Sequence, residues 1–525
     1  MRHLWVFFLV VFLSGCGSKN EKTETSIPED GPIRLHPENP HYFLYRNKPL
    51  ALITSAEHYG ALVNGQFDYR KYLKTLAADG MNYTRIFAGT YYELNGESFG
   101  IEFNTLAPST EHFISPWERI AEGDARDEKV RDAGIGNDKA KNGEASTPAN
   151  LKYDLNRWNP EYFDRLKDFM IVAEEHGIIV EFTFFSSIYR DMHWDFNPQN
   201  PKNHIASVDA SPADTLSRLK AHTLDNGELL SHQLKLVDKI VGEINDFNNF
   251  FFEIQNEPWA DRPVPVYNIM NKEELKPDDW TFKSDFADVA AMEWQAKIAD
   301  QIRQAEENLP KQHLIAQNYT NFRAPIPDVD EAISIINFHY AWPDAIRWNY
   351  HYDKVIGFDE SGFAGSGDAV YRRQAWQFML SGGGLFNHLD YSYYVGKEDG
   401  TGTYKAPGGG GPALRRQLCT LSEFLHGFEL EKMHPDTENV VRAQGTIPYV
   451  LSDGEGTFAA YLRPIGTQYA DLQLRVPPGE YTVKALDPVS GKNLSAENLV
   501  AEDKVLAIDL VAPDGEIALK IHPVN

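Results

Sequence analysis

The stretch FFFEIQNEPW, residues 250–259, shows the pattern that decides the fold of this chain. It begins with a short apolar run, Phe250 to Gln255, of the kind that forms a buried strand, and it continues into a polar turn. Seven other short runs rich in valine, isoleucine, phenylalanine and tyrosine follow the same pattern, and they lie at Leu50 to Ser55, Tyr83 to Ala88, Ile178 to Phe185, Leu314 to Asn318, Ile333 to Phe338, Val355 to Asp359 and Leu385 to Leu389.

Amphipathic stretches separate these runs. Apolar residues recur three and four positions apart in Tyr69 to Asp79, Pro160 to His176 and Phe286 to Glu306, which predicts helices there. Strands that alternate with helices are typical of βα units around a parallel sheet. Because there are eight strands, we expect a closed (β/α)8 TIM barrel over residues 36–432 in preference to an open doubly wound sheet.

The pattern changes after about Met433 to brief alternating strands separated by turns. They are Thr457 to Leu462, Leu472 to Val476, Tyr481 to Leu486 and Glu516 to His522. This predicts a small C-terminal β-sandwich over residues 433–525, packed on the barrel. A carbohydrate-binding role for the sandwich is the alternative to a purely structural one.

The bulk composition limits the partners. The chain has 525 residues, enough for two domains, and a formal net charge of -26, which would repel a phosphate backbone. We therefore expect no nucleic acid partner. The two cysteines, Cys16 and Cys419, are too few for a disulfide framework. The oligomeric state stays open.

The first sixteen residues have the pattern of a targeting signal. A short basic start precedes the apolar run Leu4 to Leu13, and the sequence LSGC ends at Cys16. This run is too short to span a bilayer, and it resembles a bacterial lipoprotein signal. The resemblance implies cleavage before Cys16, acylation of its thiol and a lipid-anchored location in the bacterial cell envelope, in the outer membrane. Polar residues 17–35 predict a flexible tether.

Two glutamates stand directly after predicted strands. Glu257 follows the fourth strand and Glu360 follows the seventh. Active sites of (β/α)8 barrels lie at the carboxyl ends of the strands, and strands four and seven lie across the mouth from one another. Glycoside hydrolysis needs one carboxylic acid and one carboxylate, and retaining enzymes hold the two roughly 5 Å apart. The pair therefore suits a retaining glycoside hydrolase.

Asn-Glu-Pro after strand four and a glutamate after strand seven resemble clan A of the glycoside hydrolases, especially its cellulase-like members. The resemblance implies that Glu257 is the general acid/base and Glu360 the nucleophile. It further implies that Asn256 holds the 2-hydroxyl of the sugar, that Arg85 supports the nucleophile and that His339 is the sixth-strand histidine of the clan. A nearby cation such as Arg85 would also keep Glu360 ionised.

The chain departs from the clan pattern in two places. Cellulases place one residue between the histidine and a tyrosine, whereas His339 and Tyr340 are adjacent, so strand alternation would turn Tyr340 away from the mouth if the strand extends that far. The eighth strand lacks the tryptophan that forms the sugar platform, and Tyr391 or Tyr393 is its candidate replacement. The stretches WNPEYF at 158–163, GGGL at 382–385 and DPVSG at 487–491 resemble a poorly characterised group of cellulase-like barrels.

Further candidates for sugar binding lie in loops after the strands: Glu57, His58, Trp194, Trp259, Trp342 and Asp390. For the three tryptophans, core packing is the equal alternative to stacking on a sugar. Plain loop packing is the alternative for Glu57, His58 and Asp390. Glu181, within the third strand, is expected to be a buried partner of a basic barrel residue.

Other chemistries have no sequence support. The chain contains no Gly-x-Ser-x-Gly elbow, and Gly408 to Gly411 lacks the Lys-Ser/Thr ending of a phosphate-binding loop. No tight ligand spacing predicts a metal, so we expect neither a metal nor another cofactor. A noncatalytic polysaccharide-binding lipoprotein and a transglycosylase with the same intermediate are the alternatives to a hydrolase. The predicted substrate is a β-linked glycan.

Overall fold

Eight parallel strands form a nearly closed barrel in the computed structural model, which describes residues 31–121, 151–205, 216–267 and 280–524. The strands are β1 (Leu52–Ala56), β2 (Tyr83–Phe87), β3 (Ile179–Ser186), β4 (Phe250–Asn256), β5 (Ile315–Asn321), β6 (Ile335–His339), β7 (Val355–Glu360) and β8 (Leu385–Leu389). They neighbour one another in chain order, and β8 pairs with β1. The predicted fold class, a (β/α)8 barrel with a C-terminal sandwich, is confirmed. The predicted leader, Cys16 and residues 122–150, the centre of the long insertion between β2 and β3, lie outside the described residues.

The seam of the barrel lies between β1 and β2, which no ladder joins in the described sheet. The side chain of Asn82 bridges it. Its Oδ1 accepts from the N–H of Ile53 at 2.9 Å, and its Nδ2 donates to the carbonyl of Ala51 at 2.9 Å. One amide side chain thus imitates the missing strand-to-strand bonds and holds β1 and β2 together.

Helices surround the barrel: α1 (Tyr69–Ala78), α2 (Pro160–Glu175), α3 (Leu229–Ile244), α4 (Val289–Glu306), α5 (Pro343–Asn349), α6 (Asp368–Met379) and α7 (Pro412–Leu425). Two short helices, Asp191–Asp195 and Arg218–Ala221, precede α3. Residues 322–334, which connect β5 to β6, contain no helix. Among the described helices, none is both long enough and apolar enough to cross a membrane.

The helix predicted from Phe286 begins three residues later. Asp288 caps α4, because its carboxylate accepts the N–H of Ala291 at 3.0 Å. Phe286 belongs instead to a strand, Lys283–Ala287, which pairs antiparallel with Pro263–Tyr267 and touches β5. This hairpin extends the rim of the barrel beyond β4.

A small antiparallel sheet covers the amino end of the barrel. Its strands are Arg34–Leu35, Phe43–Tyr45 and Lys48–Leu50. Ile33 and Phe43 are buried against the first residues of the barrel strands, and the ring of Phe43 stacks on that of Phe251. Residues 33–35, which the sequence places in the tether, therefore belong to the folded part, since their apolar side chains cover the barrel floor.

The insertion after β2 contributes a second small sheet. Trp117–Ala121 pairs antiparallel with Leu151–Trp158, and His204–Ile205 from the loop after β3 pairs parallel with the latter. Because the insertion follows β2, it leaves the barrel at the carboxyl ends of the strands. It therefore stands on the side where (β/α)8 barrels place their sites.

The C-terminal domain consists of two packed antiparallel sheets. One contains His434–Pro435, Thr446–Ser452, Phe458–Pro464, Ile517–Pro523, Glu480–Leu486 and Asn493–Val500, and the other contains Val440–Arg442, Tyr469–Arg475 and Val505–Val511. An apolar core fills the space between the sheets. Against α6, buried Glu516 accepts from Arg372 at 2.6 Å and from Tyr461 at 2.8 Å, which joins the two domains.

Candidate active site

Glu257 leaves β4 in a left-handed backbone conformation, with φ of 47° and ψ of 54°. A left-handed glutamate costs about 1–3 kcal/mol, so its surroundings must hold it there. Its N–H donates to Oδ1 of Asn318 at 3.0 Å, and its carbonyl accepts from Ser187 Oγ at 2.6 Å. Pro258 then begins a 3-10 turn. The strand end therefore turns the carboxylate into the barrel mouth.

The carboxylate of Glu257 has two polar partners. His339 Nδ1 lies 2.8 Å from Oε1, and the hydroxyl of Tyr189 donates to Oε2 at 2.9 Å. Asn256 Nδ2 in turn donates to the hydroxyl of Tyr189 at 2.7 Å. The Oδ1 atom of Asn256 has no partner among the described residues. Asn256 thus has an acceptor free for a ligand.

Glu360 is the last residue of β7, and two tyrosines donate to it. Tyr340 donates to Oε1 at 2.6 Å and Tyr59 donates to Oε2 at 2.9 Å. Both tyrosines have positive φ, 52° for Tyr340 and 58° for Tyr59. The strand does not extend as far as Tyr340, which is the condition under which alternation would turn it away: β6 ends at His339, and the left-handed conformation of Tyr340 directs its side chain into the mouth.

The two glutamates and His339 converge. One carboxylate oxygen of each glutamate and one ring nitrogen of His339 all lie within 4.8 Å of one another. His339 Nδ1 is 3.6 Å from Glu360 Oε1, so the imidazole stands between the two carboxylates. This set could also ligate a cation in geometric terms. In chemical terms it is two carboxyl groups with an imidazole between them.

Arg85 lies fully buried beneath this pair. Its closest carboxylate is Glu253, which accepts from Nε at 2.9 Å, whereas Nη1 is 3.8 Å from Glu360. Glu181, Glu253 and Asp359 form a second acidic cluster around the guanidinium. The expected burial of Glu181 against a basic residue is thus what the structure has. The guanidinium is itself the cation that offsets the negative charge of this cluster.

Electrostatics couple the imidazole to the acids on both sides. His339 Nε2 lies 3.3 Å from Asp359 Oδ1. Burial opposes the imidazolium, but the charges of Asp359 and Glu360 outweigh it and raise the pKa of His339 well above its usual value. Burial raises the pKa of Glu360, and the charge of His339 opposes this more strongly than that of Arg85 does. Two cations, His339 at 3.6 Å and Arg85 at 3.8 Å, therefore stabilise the ionised form of Glu360.

A pocket of about 290 Å³ surrounds the pair. Every barrel strand, or the loop directly after it, contributes to its wall. The lining residues are His58, Tyr59, Phe87, Tyr91, Glu93, Phe99, Leu106, Ser186, Tyr189, Asn256, Glu257, Trp259, Ala260, Trp280, Asp285, Asn321, Tyr340, Glu360, Phe363 and Leu389. The sequence-predicted candidates Asn256, His58 and Trp259 are therefore at this pocket, and the ring of Trp259 stands edge-on to that of His339.

The remaining candidates for sugar binding lie elsewhere. Trp194 is buried and donates its indole N–H to the carbonyl of Leu216 at 3.0 Å, so it packs the loop after β3. Asp390 is buried in an ion pair with Arg415 at 2.5 Å. Trp342 is half-exposed, with a guanidinium over its ring, and does not line the pocket.

Glu57 and Tyr391 support the wall from behind. Glu57 is fully buried and accepts from the N–H groups of Gly60 and Ala61 at 3.0 Å each, and from the hydroxyl of Thr105. It thus ties the loop after β1 to the loop after β2. Tyr391 packs edge-on to His58, and its buried hydroxyl has no partner among the described residues.

Sequence reasoning missed Tyr59, Tyr189, Glu93 and Asp359 as members of the site. The two tyrosines need a positive φ to reach Glu360 and Glu257, and nothing in the local sequence announces that conformation for a tyrosine. Asp359 carried a signal, because an aspartate inside an apolar central strand needs a buried partner. Glu93 stood at the start of the insertion, where no periodicity marked it.

No family model matches the chain, and no curated protein matches it in sequence. Solved structures match it in fold. A protein of Bacteroides vulgatus ATCC 8482 that is provisionally described as a glycoside hydrolase is 12% identical, with a TM-score of 0.60, over 94% of this chain and 83% of its own. A glycoside hydrolase family 5 protein from the same organism is 13% identical, with a TM-score of 0.56, over 96% of both chains. At these identities the likeness establishes the fold.

Proposed function

We propose that the protein is a retaining glycoside hydrolase that cleaves β-glycosidic bonds of an oligo- or polysaccharide. Glu257 acts as general acid/base and Glu360 as nucleophile. The observation that carries the proposal is the approach of the two carboxylates to within 4.8 Å at the base of a pocket on the carboxyl face of the barrel. Retaining enzymes need about 5–5.5 Å, whereas inverting enzymes need about 6.5–9.5 Å to admit a water molecule.

The first step forms a glycosyl ester. A carboxylate oxygen of Glu360 attacks the anomeric carbon while the protonated carboxyl of Glu257 gives its proton to the leaving glycosidic oxygen. Tyr59 and Tyr340 hold the two oxygens of Glu360 in place. The released sugar departs with the proton, and Glu257 is left ionised.

The second step hydrolyses the ester. Glu257 removes a proton from a water molecule, whose oxygen attacks the anomeric carbon and returns Glu360 as a carboxylate. In the ester Glu360 has no negative charge, so it no longer repels the ionised carboxylate of Glu257. The Nδ1 atom of His339 lies 2.8 Å from Glu257 and 3.6 Å from Glu360, so the imidazole can stabilise whichever of the two carboxylates is ionised.

We further propose that a lipid attached to Cys16 anchors the protein in the bacterial cell envelope. The lipoprotein-like pattern of residues 1–16 supports this location. A carbohydrate is the proposed partner, and glycoside hydrolases among the fold neighbours are consistent with it.

A substrate panel tests the activity. The full chain, Glu257→Gln and Glu360→Gln are incubated with aryl β-glycosides and with plant and algal polysaccharides, and the anomer released first is recorded by NMR. We expect release of the β-anomer by the parent chain and losses of about 10³-fold or more in both variants. Glu97→Gln, an exposed glutamate on the loop after β2, is the matched control.

Either of two results would reject the proposal. Release of the α-anomer would mean inversion. Unchanged glycan binding by all three proteins, without turnover on any substrate, would instead favour a noncatalytic binding protein.

A further inference from the structure

The loop after β2 closes one side of the pocket. Its residue Thr105 donates to Glu57, and its carbonyl accepts from Asn64 Nδ2 at 2.9 Å, so the loop is fastened to the loop after β1. On the other side, the N–H of Glu102 donates to the carbonyl of Lys405 at 2.9 Å. The side chains of Phe99 and Leu106 from this loop line the pocket. These bonds hold the loops after β1 and β2 together along this side of the pocket.

The size of the pocket agrees with a closed end. Its volume of about 290 Å³ lies at the small end of sites for small molecules, which hold about 300–1,000 Å³. This space suits one sugar ring between the two glutamates, and not a run of rings on both sides of the bond. The wall comes from β1 and β2, which stand across the barrel from β5 and β6.

Two polar side chains stand on this wall without a role in the chemistry described above. Glu93 is only 3% exposed and accepts from Asn104 Nδ2 at 2.5 Å and from the hydroxyl of Tyr91 at 3.2 Å. Each carboxylate oxygen has room for about two hydrogen bonds, so each keeps one for a ligand. Burial is the main cause that raises the pKa of Glu93 to about 7, and the charges of Glu360 and Glu257 add to it.

The second side chain is His58, which is 8% exposed and lines the pocket beside Glu93. Its Nε2 lies 3.8 Å from Glu93 Oε1, and its Nδ1 has no partner among the described residues. Burial and the charge of Arg85 lower the pKa of His58 to about 3, so the ring is neutral and offers one donor and one acceptor. A buried nitrogen without a partner at a pocket wall is costly unless a ligand satisfies it.

The charge of the pocket limits the class of sugar that can bind there. Among the described residues, its lining contains four carboxylates, Glu93, Glu257, Asp285 and Glu360, and no lysine or arginine. The nearest cations, His339 and Arg85, are fully buried and do not line the pocket, so an anionic sugar would face carboxylates alone. A neutral sugar, by contrast, presents hydroxyl groups that can donate to a carboxylate and bond to a neutral imidazole.

On the basis of the proposed hydrolase function, we propose that the enzyme is exo-acting and removes one neutral terminal sugar at a time. Glu93 and His58 bind the hydroxyl groups at the non-reducing end of that sugar. The rest of the glycan leaves on the opposite side, past Trp259, Trp280 and Asp285, where the hairpin after β4 forms the rim. The two side chains are thus specificity-determining residues, and they do not take part in bond cleavage.

The test uses the full chain solubilised in mild detergent and a reducing-end-labelled oligosaccharide series of whichever glycan it hydrolyses. At every chain length we expect an unlabelled monosaccharide and a labelled chain one sugar shorter as the first products. Glu93→Gln keeps the shape of the side chain and removes its charge, and it should lower kcat/KM by roughly 10- to 150-fold. Glu93→Asp keeps the carboxylate but shortens the side chain by one methylene, so kcat/KM should fall by less. Glu97→Gln is the control, with thermal unfolding of all variants measured in parallel.

Deoxy substrates separate recognition from mere structural damage. The parent chain should discriminate strongly against aryl glycosides that lack one terminal hydroxyl, and in Glu93→Gln this ratio of kcat/KM values should collapse toward unity at one position of the ring. Labelled first products that are shorter by two or more sugars, or an unchanged discrimination ratio, would overturn the exo proposal and leave the hydrolase proposal intact. Absence of turnover in the parent chain would reject the hydrolase proposal itself.

Discussion

The hydroxyl of Tyr340 donates a hydrogen bond of 2.6 Å to Oε1 of Glu360, across the gap between the ends of β6 and β7. Regular alternation along β6 would have placed Tyr340 outside the mouth. The left-handed turn at Tyr340, with φ of 52°, brings it inside. The contact is charge-assisted, and such bonds are the stronger ones in proteins.

Tyr340→Phe removes this bond and should raise the pKa of Glu360, because the Tyr340 hydroxyl is one of the groups that lower it. Since Glu360 must be ionised to attack, the acidic limb of the kcat/KM profile should move to higher pH. The plateau should fall roughly 10-fold or more. Tyr393→Phe, a buried tyrosine whose ring packs on Arg415 away from the pocket, is the control. An unmoved acidic limb would contradict the assigned role.

Asp359→Asn tests the charge on His339. The charge of Asp359 is the leading cause that raises the pKa of His339 against the effect of burial, so the variant should lower that pKa. A lower pKa weakens the positive charge of the imidazole, which opposes the effect of burial on Glu360, so the pKa of Glu360 should rise in turn. Imidazole ¹⁵N NMR and the pH profile of kcat/KM measure both effects. The exposed Asp353→Asn should change neither, and a His339 signal that titrates as in the parent chain would refute the coupling.

Glu57 should make stability fall as pH rises. Burial raises its pKa from 4.5 to about 7, so between these values the folded state binds more protons than the unfolded state. The stabilisation is full below pH 4.5 and is lost as pH approaches 7, at a cost of about 3 kcal/mol. Denaturant unfolding between pH 4.5 and 7.5 should show a negative slope that Glu57→Gln reduces by nearly one proton. An equal slope in both proteins would show that Glu57 is ionised throughout.

Glu516→Gln should loosen the joint between the domains. Buried Glu516 accepts from Arg372, Arg373 and Tyr461, so removing its charge leaves two guanidinium groups with a weak neutral partner. Breaking a buried pair in this way costs about 3–5 kcal/mol. Chemical denaturation should show an earlier transition, whereas exposed Glu497→Gln should not. Coincident curves for parent and variant would mean that the sandwich is held by its apolar contacts alone.

Cys16→Ser tests the proposed lipid anchor. Without the thiol no acyl chain can be attached, so the protein should move from the membrane fraction to the soluble fraction of the cell. Fractionation followed by mass spectrometry of the N-terminal peptide measures both location and acylation. Membrane association that persists without acylation in the parent chain would reject the anchor.

The eight strands and the two central glutamates could be predicted from the sequence because their signals are local. Short apolar runs between turns predict strands directly, and the observed strands fall within two residues of their predicted bounds except at β5, which continues three residues further, to Asn321. The helix at Phe286 was misplaced because capping by Asp288, and not periodicity, decides where α4 begins. The strand before it depends on a partner strand that local sequence does not identify.

The sequence by itself determined the (β/α)8 barrel, the C-terminal sandwich and the placement of Glu257 and Glu360 at strand ends. These features follow from hydrophobic periodicity, which is a local property of the sequence. Only the tertiary structure decided which groups surround them. The register that sets Arg85 opposite Glu181 leaves Arg85 closest to Glu253, and the ends of the strands bring His339 between the glutamates. These contacts join residues far apart in the chain, and their geometry depends on strand register and on left-handed turns that no local pattern encodes.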